Sequence, residues 1–364
     1  GSGDVNEAYI VSLEEGLKNA GYEINATASS LFENHREANS KEFVRPEGIK
    51  AMFVPYTPPQ IVYTSEQLDQ IATESDLAII TIGRNAGEGG DRVEKDDFLL
   101  SQQEQDMITR TCLAFHEAGK KVVVVLNIGG VIETNSWKEL PDAILLAWQG
   151  GQEGGNAAAD VLSGRINPSG KLPMTFPINL DDHASNKNFP QDGEPIKITD
   201  MLFAGEVDEE DRVQNRDFTI YEEGIYVGYR HFDKANLKVS YPFGFGLSYT
   251  NFEFSDLAVT VENDSIHVQL KVKNTGDKIG KEVIQLYVSK PGTLIDRPIQ
   301  ELKTFVKTQN LEPGESADLA LSIPITDLRY WDEDKSDWAL EKGSYTIQSG
   351  TSSRDIRVLQ EIEI

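Results

Sequence analysis

A single carboxylate, Glu88, stands in a glycine-rich stretch that directly follows a short apolar run. The run covers residues 77–82 and stops at Gly83, and Glu88 lies between Gly87 and Gly89. A short apolar run bounded by glycine is typical of a buried parallel strand, and ligands of open α/β sheets bind beyond the carboxyl ends of the strands. Glu88 is therefore a candidate for acid–base chemistry, although most glutamates in loops are only solvated.

Other kinds of chemistry have less support in the sequence. The five histidines contain no i, i+4 pair and the acidic loops have no EF-hand spacing, so we expect no metal site. No dinucleotide fingerprint, phosphate-binding loop or G-x-S-x-G elbow is present, so we expect no cofactor. The single cysteine, Cys112, lies in a helical pattern and is predicted to be a small core residue. Carboxylate acid–base catalysis is the chemistry that the composition supports best.

The length and charge of the chain limit its organisation and its partners. The 364 residues suffice for two domains with separate cores. The net charge of -26, from 60 acidic and 34 basic residues, repels phosphate backbones and anionic lipids, so we expect no nucleic-acid partner and no membrane partner. No apolar run reaches the roughly 18 residues that a membrane-spanning helix needs.

The first part of the chain alternates helical and strand patterns. The apolar runs at 77–82, 122–126 and 143–148 predict strands, and each ends near glycine. Between and around them we predict helices at 5–20, 67–73, 101–118 and 156–162, the third opened by a capping box of Ser101 and Glu104. Strands that alternate with helices indicate βαβ units and a parallel sheet, with several loops at one edge.

The last part of the chain has a period of two. Apolar residues alternate with polar ones at 266–272, and further strand patterns follow at 283–288, 299–306, 317–323, 345–348 and 356–364. About seven short strands over about 110 residues indicate an immunoglobulin-like or fibronectin-like β-sandwich. The polar, acidic stretch at 183–218 is interpreted as a linker or wrapping loop, with a flap over a site as the alternative.

These patterns define a fold class and three segments. We predict an α/β domain with a parallel sheet at 1–182, a linker or wrapping segment at 183–235, and an all-β fibronectin type III-like domain at 236–364. The glycine-rich stretch 150–155 at a helix start could bind an anion, but close packing of that helix against the sheet is the simpler interpretation.

The sequence resembles the C-terminal half of family 3 glycoside hydrolases, the β-glucosidase and β-xylosidase family. The resemblance covers nearly the whole chain and rests on the order and spacing of several stretches: GEGGDR (87–92), LSQQEQDMI (100–108), KKVVVVLNIGGVIE (120–133), AWQGGQEGGNAAADVLSGRINPSGKLPMTFP (147–177), YEEGIYVGYRHFD (221–233), YPFGFGLSYTNFE (241–253) and RPIQELKTF (297–305).

The resemblance implies that the catalytic residues lie on two different domains. In that family a (β/α)8 barrel carries the nucleophilic aspartate, typically in an S-D-W motif, and an α/β sandwich lends the acid/base glutamate. The motif falls on residues 87–92, so the resemblance implies Glu88 as the acid/base, with Asp91 and Arg92 in support as loop anchors or as a charge beside Glu88. Residues 336–338 read S-D-W but lie in the β-sandwich, so they are not expected to be the nucleophile. The resemblance assigns no substrate-binding residue.

The barrel of the family has no counterpart in this sequence. The pattern Asp4-Val5-Asn6 favours native sequence at the start, so we expect either a cut from a longer chain or cleavage within a loop. The expected partners are a β-linked glucoside or short oligosaccharide and the barrel, in the same enzyme or as a separate chain. Three alternatives stay open: a β-xyloside as the substrate, a catalytically silent accessory chain, and a sugar-binding module built on Trp148, Tyr226 and Tyr229, which core packing explains more simply.

Overall fold

The computed structural model describes residues 8–44, 56–84, 92–186, 188 and 221–364, which form two compact units. The first unit contains the described residues up to Ser163 together with Asn188, and the second contains 164–186 and 221–364. The domain limits at 182 and 235 stay predictions. The second unit begins at Gly164, so the segment 164–182 packs with the β-rich part of the chain.

The first unit is built on a three-stranded parallel sheet with the strand order β1-β2-β3. Its elements are α1 (Leu13–Asn19), α2 (Ala26–Ala38), α3 (Ser65–Glu74), β1 (Leu77–Arg84), α4 (Gln102–Glu117), β2 (Lys121–Ile128), β3 (Ala143–Leu146) and α5 (Gly154–Leu162). The predicted α/β class with a parallel sheet is confirmed, and the backbone groups of the buried apolar runs are satisfied by pairing between neighbouring strands.

Helix α4 packs on β1 and β2 and closes one core. Its start is fixed by the predicted capping box, in which the Ser101 hydroxyl accepts from the Glu104 N–H and the Glu104 carboxylate accepts from the Ser101 N–H at 2.8 Å. Its end lies before Gly119, whose φ of +72° suits glycine. Cys112 is buried on this helix, which confirms its place in the core.

Helix α1 is shorter than the predicted helix at 5–20. It begins at Leu13, and Ser12 caps it by accepting from the Glu15 N–H at 3.1 Å. The backbone of Val11 bonds instead to the start of α5, donating to Gln152 at 2.9 Å and accepting from Gly155 at 3.2 Å. This tertiary pairing competes with helix formation, so the described residues 8–12 stay non-helical.

The second unit contains two antiparallel sheets that form a fibronectin type III-like sandwich, as predicted. One sheet has the order β10-β7-β6 and the other the order β14-β13-β8-β9. The elements are β4 (Phe176–Pro177), α6 (Tyr229–Lys234), β5 (Val239–Tyr241), β6 (Phe252–Glu262), β7 (Ser265–Asn274), β8 (Val283–Ser289), β9 (Glu301–Lys307), β10 (Ser316–Pro324), β11 (Tyr330–Asp332), β12 (Asp337–Ala339), β13 (Ser344–Ser352) and β14 (Asp355–Glu363). The alternating apolar residues of β7 are all buried: Ile266, Val268, Leu270 and Val272.

A buried ion pair fastens the segment 164–186 to the sandwich. Lys171 Nζ lies 2.9 Å from Glu282 Oε1, and the two side chains are only 11% and 9% exposed. The same ammonium donates to the Gly246 carbonyl at 2.8 Å, and Glu282 Oε1 also accepts from the Val283 N–H at 2.6 Å. Because both charges are paired and hydrogen-bonded, their burial is tolerated.

A histidine of the same segment packs against α6. The rings of His183 and Phe232 meet edge-on with centroids 5.7 Å apart, and Phe232 is fully buried. Burial lowers the pKa of His183, the nearby His231 lowers it further, and the Asp182 carboxylate opposes the shift. The histidine is therefore favoured in its neutral form in the folded protein.

We expect the second unit to lose stability as the pH falls through the range in which His183 titrates. Its folded pKa lies below the unfolded value of about 6.5, so the unfolded chain binds more protons there and the free energy of unfolding rises with pH. The contribution of neutral His183 to the free energy of unfolding is complete above the unfolded pKa and is lost as the pH falls to the folded pKa.

Thermal unfolding between pH 8 and pH 5 should show a flatter pH dependence of stability for His183→Gln than for the parent. An unchanged pH profile for His183→Gln would contradict the assignment.

Candidate active site

The carboxyl ends of the parallel strands lie at one edge of the first unit's sheet. β1 ends at Arg84 and β2 at Ile128, and these two residues are paired in register. The Arg84 carbonyl accepts from the N–H of Gly129, the residue that follows β2, at 3.3 Å. The strand that precedes the candidate acid therefore ends beside the glycine turn of β2, at the edge where ligands of such sheets bind.

Arg84, the last residue of β1, is held by three groups. Its guanidinium forms a two-bond pair with the Glu104 carboxylate, with Nη1 2.6 Å from Oε1 and Nη2 2.7 Å from Oε2. Its Nε donates to the Asp97 carbonyl at 2.8 Å and its Nη1 to the Gly83 carbonyl at 2.7 Å. A two-bond pair fixes the plane of the guanidinium as well as its position.

Glu104 stays ionised in this arrangement. Burial by itself raises the pKa of Glu104, but the bonds from Arg84 and from the Ser101 backbone outweigh burial and hold the pKa below its ordinary value. A carboxyl group with a lowered pKa is a poor general acid. Glu104 therefore serves as an anchor for Arg84 and for the start of α4.

Arg92 binds the turn that follows it and the turn that follows β2. Its Nη1 donates to Asp97 Oδ1, and its Nη2 lies 3.4 Å from the Gly130 carbonyl. A Cβ atom at Gly130 would lie 3.2 Å from Arg92 Nη2, so glycine makes room for the guanidinium there. These contacts connect Arg92 to both turns, and its predicted supporting role, as a loop anchor or as a charge beside Glu88, stays a prediction.

Two of the three predicted site residues, Glu88 and Asp91, lie outside the described residues. The structure fixes the residues on either side of them, Arg84 and Arg92, at the carboxyl edge of the sheet. The roles of Glu88, Asp91 and Arg92 in catalysis stay predictions.

Asp97 is a residue of this region that the sequence analysis did not single out. It binds both arginines, Arg84 through its backbone carbonyl and Arg92 through its carboxylate. The sequence offers only a weak signal for it, because Glu94 and Asp96 are equally acidic neighbours and nothing in the pattern selects one of the three. Asp97, rather than Glu94 or Asp96, contacts the arginines because of the tight turn at 93–98. In this turn Asp96 adopts a φ of +61° and Phe98 is buried.

The start of α5 uses its glycines for close packing, but against another helix region rather than the sheet as predicted. A Cβ atom at Gly155 would lie 2.0 Å from the Ser12 carbonyl oxygen, and one at Gly16 would lie 2.1 Å from that of Gly155. The helix N-terminus also carries its own carboxylate, Glu153, which accepts from Asn156 Nδ2 at 2.6 Å. The glycines at this point therefore serve the contact between α1 and α5.

The aromatic residues weighed as a sugar-binding surface have other contacts. Trp148 packs against the core of the first unit. Tyr229 stacks on Phe243 at a centroid distance of 4.8 Å and accepts from the Leu302 N–H at 2.8 Å. Tyr226 donates to the Asp296 carboxylate at 2.6 Å. Packing thus accounts for Trp148 and Tyr229, as the simpler interpretation predicted.

The S-D-W stretch lies on the small hairpin formed by β11 and β12. Trp338 pairs across the hairpin with Trp331, and both indoles are about half exposed. Asp337 is exposed and its Oδ1 accepts from the Trp338 N–H at 2.7 Å. A nucleophilic carboxylate needs a site that orients it towards a substrate, and this exposed hairpin offers none.

Within the described ranges no set of three or more His, Cys, Asp or Glu side chains is placed to hold a metal ion. No helix in the described parts of the chain is long and apolar enough to cross a bilayer.

Burial, with a smaller contribution from the Asp142 carboxylate, raises the pKa of the Cys112 thiol to about 11, so this cysteine is not a nucleophile at neutral pH.

A depression of about 360 Å³ lies where β2 begins, at the amino end of the strand. It is lined by His116, Lys121 and Asp142, and both His116 and Lys121 bond to the Asp142 carboxylate, at 2.9 and 2.7 Å. This carboxylate also accepts from the Val122 N–H at 2.8 Å. His116, Lys121 and Asp142 are thus paired with one another, at the edge of the sheet away from the arginine anchors.

Two known domain families match parts of this chain. Residues 1–229 match the glycosyl hydrolase family 3 C-terminal domain, and residues 282–353 match the fibronectin type III-like domain. The first match covers more than half of the chain. The chain therefore belongs to glycoside hydrolase family 3, with the C-terminal α/β domain of that family followed by its fibronectin type III-like domain.

The relatives of this chain include several β-glucosidases. It is 34% identical to "Beta-glucosidase A" of Butyrivibrio fibrisolvens over 99% of this chain and 45% of that protein. It is 32% identical to "Beta-glucosidase" of Ruminococcus albus, over 98% of this chain and 35% of that protein. The structure of β-glucosidase 3B from Thermotoga neapolitana in complex with α-D-glucose matches all of this chain and 47% of that one, with 40% identity and a TM-score of 0.86. The chain thus spans less than half the length of these relatives.

Proposed function

We propose that this chain supplies the general acid/base of a retaining, exo-acting β-glucosidase that hydrolyses terminal β-D-glucosyl residues. Glu88 is the acid/base, Asp91 and Arg92 support its segment, and the nucleophilic carboxylate lies on a (β/α)8 barrel outside this chain. The observation that carries the proposal is the position of Arg84 and Arg92, which place the ends of the Glu88 segment at the carboxyl edge of the sheet. Membership of family 3 supports the reaction class.

In the proposed reaction Glu88 acts twice. The barrel carboxylate attacks the anomeric carbon while Glu88 gives its proton to the leaving oxygen, which forms a glycosyl-enzyme and releases the alcohol. Glu88 then removes a proton from the water that resolves this intermediate, so the configuration is retained. The two carboxyl groups must stand about 5–5.5 Å apart, and the acid needs a raised pKa. Both conditions require the Glu88 segment to lie over the barrel mouth.

The names of the relatives favour glucose as the sugar. The relatives from Butyrivibrio and Ruminococcus are named as β-glucosidases, and the Thermotoga enzyme was solved with α-D-glucose. A β-xyloside is the alternative substrate, because the residues that contact the sugar have not been assigned in this chain.

The chain by itself is expected to be catalytically silent. This chain covers less than half of each relative. That coverage favours a second candidate function, in which the chain is an accessory part that needs its barrel for activity. We expect no release of p-nitrophenol from p-nitrophenyl β-glucoside by the purified chain, and release after the barrel is supplied, either fused in one chain or as a separate polypeptide. The p-nitrophenyl β-xyloside in the same assay tests the sugar. Clear turnover by a sample shown by mass to contain no second chain would place the nucleophile within these residues and would contradict the proposed division.

A further inference from the structure

A small crevice in the second unit is lined by three basic side chains. It lies beside the end of β8 and has a volume of about 10 Å³, so it has room for about one water-sized particle. Arg297, Lys290 and Lys303 line it, together with Glu301 and the ring of Tyr345, which is 1% exposed. Three cations beside one carboxylate are unusual in a chain with a net charge of -26, and they direct attention to an anionic ligand.

Arg297 is the buried cation of this crevice, and its side chain is only 9% exposed. Its Nη2 donates to the Leu328 carbonyl at 3.0 Å. Its Nη1 is buried and has no hydrogen-bond partner in the described parts of the chain. Glu341 Oε2 is 3.6 Å from Nη1, and the Tyr345 hydroxyl donates to the Glu341 carbonyl instead. A buried donor without an acceptor is costly, so the crevice favours a ligand that accepts a hydrogen bond.

Two of the three cations have a counter-charge. Arg297 has the Glu341 carboxylate at 3.6 Å, and Lys303 Nζ lies 3.2 Å from Glu301 Oε2. Burial by itself raises the pKa of Glu341, but its hydrogen bonds and the nearby cations outweigh burial and lower the pKa. Glu341 is therefore ionised at neutral pH, and its charge is used by Arg297.

Lys290 is the cation without a counter-charge. It makes no ion pair with any described carboxylate: its Nζ donates to the Ser344 carbonyl at 3.2 Å and lies 4.9 Å from the centre of the Tyr345 ring. The apolar walls formed by Val288 and Leu328 are 5% and 2% exposed, and such walls strengthen the attraction of a charge. One positive charge and one N–H donor thus remain to be satisfied in the same crevice.

We propose that this crevice binds a small monovalent anion of the halide type, with chloride as the ligand. The anion accepts a hydrogen bond from Arg297 Nη1 and neutralises the charge of Lys290. A water molecule could accept the hydrogen bond but would leave the lysine uncompensated, and the volume of the crevice excludes polyatomic anions such as sulfate and phosphate. This site lies in the second unit and does not depend on the proposed function.

Bromide locates the ion directly, because it replaces chloride chemically and scatters X-rays anomalously. Crystals of this chain grown without chloride and soaked in sodium bromide should show an anomalous peak within hydrogen-bond distance of Arg297 Nη1. An ordered water molecule at this place, without an anomalous signal, would overturn the proposal. The measurement uses the parent chain, so it decides the question even where a variant fails to fold.

Hydrogen exchange shows whether the ion stabilises the fold. Buried amides of β13 should exchange more slowly in sodium chloride than in sodium gluconate of the same ionic strength. The factor should reach about tenfold when chloride is at about ten times its dissociation constant, because the ion binds the folded state only. Amides of β2, in the first unit, should exchange equally in both salts. A bromide peak without protection of β13 would mean an adventitious ion only and would also overturn the proposal.

Lys290→Met removes the uncompensated charge and keeps most of the length of the side chain. This variant should lose the chloride-specific protection of β13. Lys273→Met is the matched control, because Lys273 is exposed on β7, in the other sheet of the sandwich, and its loss changes the net charge by the same amount. The control should keep the protection, and equal protection by chloride in the two variants would refute the anion site at Lys290.

Discussion

Glu88→Ala is expected to slow the hydrolysis of glucosides with poor leaving groups by about 10²–10⁴-fold, the usual contribution of a general acid. Glucosides with good leaving groups, such as dinitrophenyl glucoside, should be affected far less in the first chemical step, because a stable phenolate departs without a proton. The measurement is kcat/KM for a series of aryl β-glucosides with the enzyme that contains this chain and the barrel. The slope of log kcat/KM against the pKa of the leaving group decides whether Glu88 acts as the general acid.

The control for this variant is Glu94→Ala. Glu94 has the same chemical type, lies six residues further along the chain, and has an exposed side chain in the turn after Arg92. This variant should retain the parental rates and the parental slope. Equal losses for good and poor leaving groups in Glu88→Ala would remove Glu88 from the acid role.

Glu282→Gln is expected to lower the free energy of unfolding of the second unit by about 3 kcal/mol, the lower end of the range for breaking a buried ion pair. The substitution keeps the shape of the side chain but leaves the Lys171 ammonium without its counter-charge at a site where the lysine is 11% exposed. The remaining bond of Lys171 to the Gly246 carbonyl does not replace a full charge. Urea unfolding of the parent and the variant measures the difference.

Two further variants define what the ion pair contributes. Asp318→Asn removes one charge of an exposed pair, since Asp318 is 88% exposed and 3.8 Å from Lys271, and it should cost less than about 1 kcal/mol. The double variant Lys171→Met with Glu282→Leu should recover much of the loss, because it leaves no unpaired charge in the interior. A cost for Glu282→Gln no larger than that for Asp318→Asn would contradict the account of the pair.

The parts of the fold that follow from local signals could be predicted from the sequence. The capping box at Ser101 and Glu104 marks the start of α4 because both halves of the motif lie within one helical turn. The alternation along β7 marks the strand because each residue's face is set by the pleat. Such signals need no knowledge of the distant parts of the chain.

The parts that depend on tertiary contacts could not be predicted. Helix α1 starts at Leu13 because the residue before its cap pairs with the start of α5, more than 130 residues away in the sequence. Within the site, the sequence pointed to Glu104 as a cap, but its second role as the partner of Arg84 depends on how α4 packs beside β1. The choice of Asp97 over its acidic neighbours likewise depends on the turn that buries Phe98.

The anchoring arginines connect the fold to the proposed chemistry. The sheet and α4 provide a rigid edge, and Arg84 and Arg92 use it to hold the two ends of the segment that contains Glu88. A loop that contributes a catalytic group to another domain's substrate needs fixed ends, because its own backbone is stabilised by few neighbours. If Glu88 is the acid/base, as proposed, this arrangement would let the α/β domain supply an acid to a site on another domain.

The product formed by Glu88→Ala with azide tests the central claim most directly. Azide needs no base, so it can attack the anomeric carbon of the glycosyl-enzyme in place of water, forming a C–N bond as the C–O bond to the barrel carboxylate breaks. With a dinitrophenyl β-glucoside and azide, we expect a restored rate and a β-glucosyl azide, identified by NMR, because two inversions retain the configuration. An α-glucosyl azide would make Glu88 the nucleophile, and the absence of both rescue and azide product would contradict the assignment of Glu88 as the acid/base.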